Sequence, residues 1–109
     1  MITATLKFAG KDIYKGFTVE GHSGSAPKGK DIVCAAVSAI VQTALIGIDE
    51  VAHLDKTYSI SDGFVNCVLP ENTGEDNYCR AQTIIRVMHL GLISIAQQYN
   101  DFVRIKEER

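Results

Sequence analysis

His22 and Cys34 stand twelve residues apart, joined by a stretch in which Gly24, Pro27 and Gly29 exclude a regular element. An imidazole that takes a proton and a thiol that gives one up are the ingredients of a cysteine hydrolase, and a glycine-rich hinge lets them meet. Asp31 has the properties of a helix N-cap, because its carboxylate can accept from the amides of Val33 or Cys34 and the residues from Ile32 onward are apolar or small. The thiol of Cys34 therefore falls in a first helical turn, where uncapped amides and the macrodipole favour an anion. Ser38 lies one turn further on, so Asp31, Cys34 and Ser38 form one polar stripe on an otherwise apolar helix. Backbone amides at the helix start, that of Cys34 included, are expected to hold an oxyanion during acyl transfer. Gly21, Ser23, Gly24 and Gly29 belong to a loop expected to close over substrate, which would leave His22 beyond hydrogen-bonding distance of Cys34 in the free chain.

The other candidates read as structure. Cys67 alternates within a strand pattern, and Cys79 opens a second helix with no histidine near it in sequence. His53 closes the first helix, and His89 lies beside core positions of the second. No spacing announces a third ligand that would turn His22 and Cys34 into a metal site, so neither metal nor cofactor is expected. Gly24 to Lys30 spells GxxxxGK, but Asp31 stands where a phosphate-binding loop needs Ser or Thr, and its carboxylate repels phosphate.

Composition narrows the class further. Three cysteines without a CxxC point away from a disulfide framework or structural zinc and towards a reducing, cytoplasmic compartment. A net charge of −2 opposes direct nucleic-acid binding by phosphate neutralisation. The N-terminal residues lack the basic patch and apolar block of a signal peptide. The most apolar segment, residues 32–48, is broken by Ser38, Gln42, Thr43 and Gly47 and falls short of the roughly 20 apolar residues a bilayer needs. It reads as a core helix, with no membrane partner.

The elements that must hold the site follow from periodicity. Ile2, Ala4, Leu6 and Phe8 alternate with polar residues, and residues 13–20 repeat the pattern through Ile13, Phe17 and Val19 with Lys15 out of place, so a hairpin is predicted that ends on Gly21 and His22. Apolar residues at three- and four-residue spacing predict a helix over residues 32–51. Residues 57–60 and 64–69 flank Ser61-Asp62-Gly63 as a second hairpin, ended by Pro70. Helical spacing returns from Ala81 to Tyr99, and residues 102–106 supply a last strand. The 109 residues thus form a single domain of α+β class, ββαββαβ in order, a mainly antiparallel sheet with two helices packed on it.

Gly21-His22, followed nine residues after the histidine by Asp31-Ile32-Val33-Cys34-Ala35-Ala36-Val37-Ser38, resembles the signature of the Prp family of ribosomal-processing cysteine proteases. The resemblance implies Cys34 as nucleophile and His22 as base, with Asp31 and Ser38 in support. It also implies a homodimer, and removal of a short N-terminal extension from a large-subunit ribosomal protein precursor. Ser23 departs from the alanine usual in that family and adds a hydroxyl beside the base. Two other classes are consistent with the residues: a non-catalytic factor that binds a ribosomal peptide or assists assembly, and a thiol hydrolase or acyltransferase acting on a small thioester.

Overall fold

The computed structural model describes residues 1–22, 24, 31–72 and 74–109. Its elements are β1 (Ile2–Phe8), β2 (Tyr14–Glu20), α1 (Ile32–Glu50), β3 (Thr57–Ser61), β4 (Phe64–Val68), α2 (Asp76–Gln98) and β5 (Val103–Glu108), in the predicted ββαββαβ order. The strands form one sheet in the order β3-β4-β2-β1-β5. Three neighbouring pairs are antiparallel and β1 with β5 is parallel, so the sheet is mainly antiparallel with one mixed edge.

One face of the sheet is apolar and carries both helices. Across the strands, Ala4, Val19, Val65 and Ile60 lie in one row, and Leu6, Phe17, Cys67 and Tyr58 in the next. Against those rows α1 buries Val33, Val37, Val41, Ala44, Leu45 and Ile48. That helix is long and apolar enough by length and composition to cross a membrane, but this stripe makes it the core helix the periodicity predicted. The opposite face of the sheet carries Thr3, Thr5, Lys7, Thr18 and Glu20, as the alternation requires.

The first hairpin differs from expectation at one end. β2 begins at Tyr14, which is buried, while Ile13 is exposed. A register shift beside Lys7 and Phe8 pairs Gly16 with Lys7 and Tyr14 with Phe8, so Lys15 is an extra residue in the strand. This bulge is why Lys15 broke the alternation, and it turns Tyr14 into the core in place of Ile13. Gly16 has its own reason, since a Cβ there would lie 2.3 Å from the Cys67 carbonyl oxygen. The backbone of Tyr14 is then served by α2: its N–H donates to Gln82 Oε1 at 2.8 Å and its carbonyl accepts from Gln82 Nε2 at 2.8 Å. Its hydroxyl shares a 2.8 Å hydrogen bond with His89 Nδ1, and His89 is buried.

Candidate active site

Asp31 caps α1 as predicted, its Oδ1 accepting from the amides of Val33 at 3.1 Å and Cys34 at 3.0 Å. Ala35 N–H donates to the Asp31 carbonyl at 3.1 Å. All three amides are therefore engaged by Asp31. In the free chain the cap holds the Cys34 N–H that is expected to serve an oxyanion, and an oxyanion there competes with the carboxylate.

Cys34 is half-buried in the first turn of α1, and its sulfur lies 3.9 Å from His22 Nδ1. That is within hydrogen-bonding reach for sulfur, so the expectation that His22 stands away from the thiol in the free chain is overturned. The cause is local anchoring at the end of β2. The Gly21 N–H donates to the Gly63 carbonyl at 2.8 Å, and the Met1 nitrogen donates to the His22 carbonyl at 2.6 Å. Gly21 has φ +99°, and a Cβ on it would lie 2.2 Å from the Met1 carbonyl oxygen. Its requirement is therefore close packing of backbone at the site's edge.

The imidazole itself lies over Gly63. A Cβ at Gly63 would fall 2.6 Å from His22 Nε2, and φ there is +70°. Gly63 belongs to the Asp62-Gly63 turn of the β3–β4 hairpin, a turn plainly visible in the sequence, whereas its service as the floor for the histidine ring is not. Ser61, Asp62, Phe64 and Val65 of the same hairpin also line the site and were not among the sequence candidates. Gln42, two turns beyond Cys34 on the same helix face, joins them.

His22, Gly21, Gly24, Asp31, Cys34 and Ser38 all line one cleft of about 430 Å³ between α1 and the end of the β3–β4 hairpin. Ser38 is exposed, one turn from Cys34, and contributes a hydroxyl to the wall. Ser23 and Gly29 lie outside the described residues, as does most of the loop expected to close over substrate. Among the described residues no group of three or more His, Cys, Asp or Glu could hold a metal ion.

The other thiols have different surroundings. Cys67 is 0% exposed, and burial, with the nearby Asp49 carboxylate adding and the Lys56 ammonium opposing, pushes its thiol up to about 11. Cys79 is exposed at the start of α2. The arrangement therefore offers a half-buried thiol at a helix start with an imidazole in contact and apolar residues along the cleft wall, the parts that nucleophilic thiol chemistry needs.

Residues 1–104 match the family model described as cysteine protease Prp. The ribosomal processing cysteine protease Prp of Bacillus subtilis is 29% identical over 107 residues, covering 96% of each chain. Its Staphylococcus aureus counterpart is 28% identical over 108 residues, covering 96% of this chain and 97% of its own. Among solved structures, S. aureus Prp with a covalently linked product peptide superposes with a TM-score of 0.89 at 23% identity, covering 99% of this chain and all of that one. SMU.848 from Streptococcus mutans superposes with a TM-score of 0.75 at 27% identity, covering 99% and 94%.

Proposed function

Because the chain belongs to the Prp family of ribosomal-processing cysteine proteases, we propose that it removes a short N-terminal extension from a large-subunit ribosomal protein precursor, with Cys34 as nucleophile and His22 as base. The observation that carries this reading is the 3.9 Å approach of His22 Nδ1 to a thiol at a helix N-terminus inside a cleft. Cys34 passes its proton to His22 and its sulfur attacks the carbonyl carbon of the scissile bond. As the tetrahedral adduct collapses, His22 gives that proton to the leaving amine and a thioester remains on Cys34. Water, giving a proton to His22, attacks the thioester, and the proton returns to sulfur as the acid departs. The S. aureus relative held with a covalently linked product peptide supports a covalent route.

Asp31 holds the helix start, its carboxylate accepting from the Cys34 amide. When the oxyanion forms, it competes with Asp31 Oδ1 for the Cys34 amide, an interaction of a kind typically worth about 3 kcal/mol in acyl transfer. Ser38 lines the path of the peptide beyond the nucleophile.

A ribosomal-protein substrate supports a cytoplasmic setting for the enzyme. The homodimer implied by the family resemblance finds support in the outer face of the helix pair, where Ile40, Val51 and Val87 line an open apolar groove.

Mass spectrometry of the ribosomal protein precursor after incubation with the enzyme tests the reading. The wild-type chain should yield one shortened product, Cys34→Ala none, and His22→Ala a rate lower by at least about a hundredfold, the usual loss when a general base is removed. Full cleavage by Cys34→Ala would reject the nucleophile. An intact precursor with tight binding would favour the non-catalytic peptide binder.

A further inference from the structure

The side chains of Tyr58 and Ile60 lie in the rows of the sheet face that the helices cover, yet they are 51% and 49% exposed. The helices stop short of β3, leaving its inner face open alongside α1. From the catalytic end, the residues of α1 that line the cleft are Cys34, Ala35, Val37, Ser38, Val41 and Gln42, and Ile60 of β3 lines it with them. Further along, the two walls are joined, because Lys56 just before β3 is ion-paired to Asp49 on α1. The Lys56 side chain is only 1% exposed, and its ammonium lies 4.6 Å from the centroid of the Tyr58 ring. The Tyr58 ring is therefore held in place while one side of it stays open, so little side-chain order remains to be lost when a ligand packs on it.

We propose that Tyr58 is a specificity-determining residue that binds an apolar side chain of an extended peptide at a position remote from the bond Cys34 cuts. The inference rests on the peptidase reading of the cleft that Ile60 lines; Tyr58 lies beyond it, two residues along β3. The α1 wall of the cleft from Cys34 to Gln42 spans about 12 Å at the rise of a helix, and Tyr58 lies about 7 Å beyond Ile60 at the rise of a strand. An extended peptide covers the first span in about four residues and the second in about two. Ile60 and Tyr58, two residues apart on one face, match the spacing at which an extended chain presents side chains to one side.

Two peptides spanning the precursor junction separate this role from a structural one: a short one with three residues on each side of the bond, and a long one with eight. Tyr58→Ala should lower kcat/KM for the long peptide about tenfold through KM and leave the short peptide unchanged, as expected for loss of one aromatic packing contact. Tyr58→Phe should restore the long peptide, and Val68→Ala, on the opposite face of the sheet, should alter neither. In the Cys34→Ala background, fluorescence anisotropy of the labelled long peptide should show the same tenfold weakening. Equal losses on both peptides, or no loss on the long one, would overturn the proposal. If the wild-type chain cuts neither peptide while binding still depends on Tyr58, the peptidase reading fails and the Tyr58 contact stands.

Discussion

Gly63 leaves the space that the His22 ring occupies. The ring lies where a Cβ at residue 63 would have to go, and the backbone there has φ +70°. Gly63→Ala should therefore displace the imidazole from the sulfur and lower kcat by about tenfold or more with KM little changed, a transition-state loss. The left-handed conformation adds a stability cost of about 1–2 kcal/mol, read separately as a shift in Tm. An unchanged kcat in a variant with a lowered Tm would reject Gly63 as a positioning residue. At this scale the sequence made Cys34 and the Asp31 cap legible from residue type at a helix start, and His22 from its place between a hairpin end and a glycine-rich loop. It could not show that one carboxylate oxygen takes both the Val33 and the Cys34 amides, because that depends on which rotamer the carboxylate adopts.

Between elements, Tyr14 ties the bulged end of β2 to α2 through Gln82, Tyr78 and His89. Burial lowers the pKa of His89; Glu107 raises it and Arg86 lowers it to smaller extents. The folded chain therefore prefers the neutral ring while the unfolded chain takes up a proton below about 6.5. The contribution of His89 is fully present above that pH and is lost as pH falls through the lower folded value, at up to about 1.4 kcal/mol per pH unit. Urea midpoints between pH 7.5 and 5 should fall more steeply for the wild-type chain than for His89→Leu. Parallel decline of the two would sink the assignment. The bulge was visible only as a misplaced Lys15, because alternation reports a face and not the partner strand against which an extra residue is counted.

For the whole molecule, α1 and α2 carry more apolar surface than the sheet consumes. Val87 is 65% exposed beside Val51 and Ile40 on the outer face of the helix pair, more than scattered surface residues require. If a second copy covers this face, Val87→Glu should convert a dimer to a monomer by light scattering at micromolar concentration while Tyr58→Ala leaves the dimer intact. A wild-type chain that is monomeric throughout would dispose of the idea. The order ββαββαβ, the core faces apart from the bulged start of β2, and the helical setting of Cys34 were determined by sequence alone, because periodicity and capping are local and each residue's contribution to them is set by its neighbours in the chain. What tertiary structure decided is the site's other wall. The β3–β4 hairpin lies about forty residues beyond His22 in the chain, and only its pairing with β2 carries Gly63 beneath the histidine and Ile60 to the cleft that Ser38 also lines. Such juxtapositions arise from sheet register, a long-range property that no local pattern encodes.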